Sequence, residues 1–157
     1  MSPSSVARNR PLGWTLIIFG EFGLIAGIVP FAVHVVRLVA DSRFVRGADW
    51  SAHGVDALGL SSEWALLSSA MGTYLGALLL WAGIGWTRGR PWAPVVAWAY
   101  VFGGLAVNVT DMLIFWLQAN PCLGRTLMLI FDGIALALPV AVAVWLLRIR
   151  RAGRAGP

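Results

Sequence analysis

The feature that most constrains this chain is a series of four apolar runs, each long enough to cross a bilayer as a helix. With 59% hydrophobic and only 12% charged residues, the chain has little material left for a soluble domain. The sequence therefore predicts an all-α integral membrane protein, an up-down-up-down bundle of four transmembrane helices. The predicted spans cover about residues 12–36, 63–86, 92–118 and 126–147.

Polar segments divide the runs into a single transmembrane domain, 12–147, with a tail at either end. Residues 1–11 form a short N-terminal tail, 37–62 the only long loop, and 148–157 an arginine-rich C-terminal tail. The first run is too long for the apolar part of a secretory signal and contains Glu21. We therefore expect it to remain as a membrane helix.

The distribution of arginine predicts the orientation. All 12 basic residues are arginine, and eight lie on the side that carries both chain termini against four on the side of the long loop. Because cytoplasmic segments are enriched in basic residues, we expect both termini in the cytoplasm and the chain in the cytoplasmic (inner) membrane. The arginines cluster at chain ends and connections, which indicates contact with membrane lipids and not with nucleic acid.

Three carboxylates fall within the apolar runs: Glu21, Asp111 and Asp132. An ionisable group at the centre of a bilayer costs about 2.5 to 3.5 kcal/mol on insertion scales, so each needs a compensating partner. In the third run, polar and aromatic residues recur at spacings of three and four, which predicts one helix face directed into the bundle: Tyr100, Gly104, Asn108, Asp111, Phe115 and Gln118.

Asp111 and Asp132 lie about equally far on either side of the turn between the third and fourth runs. Antiparallel helices then place both carboxyl groups at one depth, about 10 Å below the loop-side surface, where His34 or Arg37 can approach. The sequence predicts a polar chamber that includes Asn108. Two carboxylates this close either share a proton or are bridged by an arginine, Arg37 or Arg125. The alternative is that these groups serve only as hydrogen-bonding contacts between helices.

Glu21 lies near the middle of the first run, at the expected depth of Thr73 and Tyr74 on the second. It is therefore a second candidate for cation or proton binding, with a purely structural hydrogen bond to Thr73 or Tyr74 as the alternative. Small residues at four-residue spacing, Gly23 with Gly27 and Ser68 with Gly72 and Gly76, favour close helix packing within the monomer over a dimer contact.

No sequence motif indicates catalysis, a metal or a cofactor. Cys122 is the single cysteine, and His34 and His53 lack the spacing of a zinc site. Four helices with a lone glutamate in the first and Tyr74 and Trp81 in the second resemble the small multidrug-resistance exporters. The long loop and the two additional aspartates depart from that family, and we do not assign the chain to it.

Three functions remain open. The favoured hypothesis is a binding or transport module whose acidic chamber takes a small lipophilic or cationic molecule, or protons. The second is an accessory or assembly subunit that docks in a larger membrane complex, and either role allows a homo-oligomer. The third is a membrane enzyme that uses scattered acidic and basic groups.

The orientation is directly testable with a reporter that is active only in the cytoplasm. Fused after Pro157 it should give signal, and inserted beside Gly54 it should give none, because the arginine count places those sites on opposite sides of the membrane. The reverse pattern would invert the topology.

Overall fold

The computed structural model describes residues 10–40, 62–121 and 123–152. Within these residues the protein is all-helical, and each predicted run coincides with one helix. Each helix contains a stretch long and apolar enough to cross a membrane, so the predicted all-α fold with four candidate spans is confirmed. The helices are α1 (Arg10–Ala40), α2 (Ser62–Thr87), α3 (Ala93–Gln118) and α4 (Leu123–Ala152).

Consecutive helices pack against each other in antiparallel pairs, which gives the up-down-up-down order. We call the end where α1 begins the arginine end and the opposite end the loop end. The arginine end carries six described arginines, Arg10, Arg88, Arg90, Arg148, Arg150 and Arg151. In the described part of the chain α1 packs extensively against α2 alone and contributes Leu16 to a core that α2, α3 and α4 otherwise form. The surface of α1 that faces away from α2 is therefore largely uncovered by the other described helices.

The contact between α1 and α2 depends on glycine. Gly23 and Gly76 meet face to face, and a Cβ atom at Gly76 would overlap the backbone of Gly23 and Leu24. A Cβ at Gly20 would likewise overlap Leu80, and one at Gly27 would overlap Thr73. The prediction that these glycines allow close helix packing within one chain is confirmed, because small residues let two backbones approach.

The well-packed core lies toward the arginine end. It contains Leu16 of α1, Leu79 and Trp86 of α2, Val101 of α3 and Leu146 of α4 among its buried members. The indole of Trp86 meets that of Trp145 edge to face at 5.0 Å between ring centroids, an arrangement that aromatic pairs prefer. These contacts bring the three helices α2 to α4 together at one end.

A tight turn joins α2 to α3 at the arginine end. The amide of Arg90 donates to the carbonyl of Gly85 at 2.8 Å and that of Gly89 to the carbonyl of Trp86 at 3.2 Å. This is the Schellman pattern, which needs a left-handed residue after the helix, and Gly89 supplies it with φ of 64°. Pro94 then occupies the first turn of α3, where a missing amide proton is harmless.

Toward the loop end the helices are packed more loosely. Among the described side chains of 63–74, 105–118 and 123–138, only that of Asp111 is buried. Several sequence predictions concern parts of the chain outside the described residues: the tail 1–9, the loop 41–61 with His53, Cys122 and the tail from 153. The side chain of Arg37 also lies outside them.

The glycine contact predicts a sharp difference between two alanine substitutions. Gly76→Ala should destabilise the protein by about 1 to 3 kcal/mol, because the new Cβ forces α1 away from α2. Gly133→Ala is the matched control, since nothing lies within 4 Å of a Cβ there. It should be neutral or stabilising by about 0.5 to 1 kcal/mol through helix propensity. Denaturant unfolding in detergent measures both, and equal stabilities would contradict the close contact.

Candidate ligand or proton site at the loop end

Asp111 of α3 and Asp132 of α4 form the centre of the candidate site. Asp111 lies seven residues before the end of α3 and Asp132 nine residues after the start of α4, which places them about 10 and 13 Å below the helix ends. The two carboxylates lie close enough to repel each other electrostatically. The antiparallel hairpin therefore brings together the two acids that the sequence placed at one depth.

α2 contributes hydrogen-bond donors to this layer. The hydroxyl of Ser68 donates to Oδ2 of Asp111 at 2.8 Å. The indole of Trp64, one helical turn away on α2, lies beside the same carboxylate. We call these four residues, Trp64, Ser68, Asp111 and Asp132, the acidic layer. The layer joins three helices through one carboxylate.

Each aspartate keeps one buried oxygen without a hydrogen bond to any described residue: Oδ1 of Asp111 and Oδ2 of Asp132. Asp111 is only 7% exposed. Buried polar atoms nearly always have a partner, and leaving one without a partner costs about 1 to 3 kcal/mol, more for a charged group. The two free oxygens are therefore the atoms of this site best placed to accept a proton or coordinate a cation.

The predicted polar face of α3 is present in part. Tyr100, Gly104 and Asp111 are buried, Asn108 and Phe115 are half-buried, and Gln118 is exposed. The Nδ2 group of Asn108 donates to the carbonyl of Gly104 in its own helix at 2.7 Å. Asn108 thus shares the face of Asp111, while its amide protons are used within α3.

No described arginine bridges the two aspartates. Arg125 donates to the carbonyl of Ala119 at 3.3 Å and lies over the ring of Trp116, 5.0 Å from its centroid. It therefore caps the end of α3 at the turn, and its expected bridging role is wrong. His34 of α1 is 8% exposed and lies near the loop end, about level with residue 66 of α2 in the register that the glycines define. It is within about one helical turn of the layer.

Glu21 and Tyr74 do not join the acidic layer. Both side chains are exposed, Tyr74 by 64%. Gly20 packs against Leu80 and Gly23 against Gly76, so Glu21 is level with the segment 76–80 and not with Thr73 or Tyr74. Thr73 packs on Gly27 and its hydroxyl donates to the carbonyl of Ser69. The expected contact of Glu21 with Thr73 or Tyr74 is wrong, because the glycine contacts set a different register.

Comparison with known proteins adds no assignment. The chain matches no protein-family model and shows no significant similarity to a curated protein or a solved structure. Within the described residues, no group of three histidine, cysteine or acidic side chains is arranged to hold a metal ion. The chemistry of the site therefore rests on its own geometry.

Sequence reasoning missed Ser68 and Trp64 as members of the site. Ser68 was interpreted as part of the small-residue stripe with Gly72 and Gly76, yet its hydroxyl faces α3. A signal for both residues was available, because Trp64 and Ser68 are four residues apart on one helix face and lie at the depth of Asp111. Using that signal requires knowing which residues of α2 lie at the same depth as Asp111 of α3.

A double-mutant cycle tests whether the two aspartates interact. Removing either charge relieves the same repulsion, so the stability of Asp111→Asn with Asp132→Asn should differ from the sum of the single changes by about 0.5 to 3 kcal/mol. Unfolding in detergent at neutral pH provides the measurement. The control pair is Asp132→Asn with Glu21→Gln, which should be additive within about 0.5 kcal/mol because these residues are far apart. Additivity of the aspartate pair would show that the carboxylates do not meet.

Proposed function

We propose that the protein is a multi-pass protein of the cytoplasmic membrane, with both termini in the cytoplasm, that binds or transports a small cationic or lipophilic cationic molecule or protons at the acidic layer. The four candidate spans and the asymmetric arginines support this placement. Asp111 and Asp132 are the binding groups, and Ser68 and Trp64 orient Asp111.

The observation that carries this proposal is the pair of buried carboxylate oxygens without partners, Oδ1 of Asp111 and Oδ2 of Asp132. Two acids that repel each other and are bridged by no described arginine side chain form an arrangement that a bound proton or cation would stabilise. Such an arrangement is expensive for a purely structural contact, since structural polar groups in membrane proteins satisfy one another.

The loose packing around the acidic layer supports access for a ligand. The core toward the arginine end is filled by buried apolar side chains, whereas Asp111 is the one buried side chain described in the loop-end halves of α2, α3 and α4. We therefore propose that a small molecule approaches the carboxylates from the loop side. In the proposed orientation that side faces away from the cytoplasm.

A second candidate function is that of an accessory or assembly subunit. One specific feature favours it: among the described helices α1 packs extensively against α2 alone, and it presents large apolar side chains over the rest of its circumference, including Phe22 and Ile25. A partner helix can cover such a surface. This role requires the exposed surface of α1, whereas ligand binding requires the two aspartates of the acidic layer.

Thermal unfolding with a matched pair of probes tests the binding function. Benzyltrimethylammonium should raise the melting temperature of the purified protein, whereas neopentylbenzene, its uncharged isostere, should not. A ligand present at 100 times its dissociation constant stabilises the folded state by about 2.7 kcal/mol. Asp111→Asn should abolish this shift while leaving the fold intact, because the amide keeps the shape of the carboxylate and loses its charge.

Glu63→Gln is the control, since Glu63 is an exposed carboxylate at the same end of the molecule. It should retain the full shift. Proton binding is tested in parallel by the proton uptake of liposomes that contain wild type or Asp111→Asn. If neither the cation nor protons distinguish wild type from Asp111→Asn, the acidic layer is a structural contact.

A further inference from the structure

α1 carries a second helix-packing surface that α2 does not use. Its members are exposed and alternate at spacings of four and three residues: Trp14, Ile18, Glu21, Ile25 and Ile28. We call this set the α1 seam. The surface that packs on α2 has the same kind of spacing through Gly13, Leu16, Gly20, Gly23 and Gly27. The α1 seam therefore lies on a part of α1 that α2 does not cover.

The α1 seam differs from the equally exposed stripe beside it, Thr15, Phe19, Phe22, Ala26 and Val29, in carrying a carboxyl group. An apolar residue every 3.5 positions keeps one stripe facing a neighbouring helix along a left-handed crossing. A polar residue at one position of such a stripe fixes the register and the choice of partner at some cost in stability. In the α1 seam that single polar residue is Glu21.

Glu21 limits which surfaces can pack against the α1 seam. It is exposed, far from both ends of α1, and makes no hydrogen bond or ion pair with the described residues. A carboxyl group facing hydrocarbon is unfavourable, so its cover must offer a hydrogen-bond partner at the same depth. Lipid chains offer none.

A second copy of the chain meets this requirement by symmetry. Copies inserted in one orientation have every residue at the same depth, and a two-fold axis along the membrane normal brings each residue of a seam opposite its own counterpart. A carboxyl group that carries its proton is both a donor and an acceptor, so two such groups, or one with a carboxylate, are complementary. The described arginines lie near helix ends or in the connection between α2 and α3, and not at this depth.

We propose that two parallel copies of this protein associate through the α1 seam, with Glu21 of one copy hydrogen-bonded to Glu21 of the other. The pairing uses a helix surface remote from the acidic layer and is independent of the proposed ligand. It leaves the contact between α1 and α2 unchanged.

Cysteine crosslinking in liposomes tests the geometry. Cys122→Ser provides a background without other cysteines, into which Ile25→Cys or Phe19→Cys is introduced. Both positions are exposed on α1, but Phe19 lies off the seam. Under copper-phenanthroline oxidation, at equal thiol labelling, Ile25→Cys should form the covalent dimer and Phe19→Cys should not. Equal crosslinking at both positions, or none at Ile25→Cys, would overturn the proposal.

Fluorescence energy transfer between labelled copies, measured against the protein-to-lipid ratio, tests the part played by Glu21. Glu21→Gln should keep the dimer, because a carboxamide also donates and accepts. Glu21→Leu should weaken it by about 5- to 30-fold, the expected effect of losing an interhelical hydrogen bond of model-peptide strength. Unchanged association of Glu21→Leu would refute the glutamate pair, and cation binding by the same variant should stay normal.

Discussion

The placement of α1 in the structure depends on its close approach to α2. Apolar helices in an apolar solvent gain little from hiding their side chains, so association requires close van der Waals contact and hydrogen bonds. Gly20, Gly23, Gly27 and Gly76 provide that contact by allowing backbone to pack against backbone. A Cβ at Gly20, Gly27 or Gly76 would overlap the facing helix and one at Gly23 would be tight, and these contacts fix the register between the helices. The register in turn decides the depth at which each polar side chain of α1 lies.

The polar groups are divided between two places with different surroundings. Asp111 is buried, joined to Ser68 and close to Asp132, so it belongs to a contact between three helices. Glu21 is exposed on a helix whose extensive contacts, among the described residues, are with α2. One acidic group thus lies inside the bundle, and the other lies on a surface that no described helix covers. The apolar core lies toward the arginine end, whereas the acidic layer lies toward the loop end.

Reasoning from the sequence succeeded where a short connection fixes geometry. Asp111 and Asp132 flank a tight turn, and an antiparallel hairpin can pair them in only one way, so their proximity could be predicted. It failed where two helices are joined by a long loop. The depth of Glu21 relative to α2 was wrong by about six residues, or about 9 Å, because nothing local relates helices separated by residues 41–61. Ser68 was missed for a related reason, since its partner lies on another helix.

The sequence by itself determined the number of candidate membrane helices, their approximate limits and the antiparallel order of the described helices, because these follow from the length of apolar runs and the breaks between them. It also predicted that two acids lie at one level of the hairpin of α3 and α4. Only the tertiary structure decided that Ser68 orients Asp111, that Arg125 turns away to Trp116, and that Glu21 faces outward. The physical reason is that hydropathy is a property of each residue, so it can be read along one chain segment. The direction in which a polar side chain faces depends instead on which neighbouring helix packs close to it and in which register.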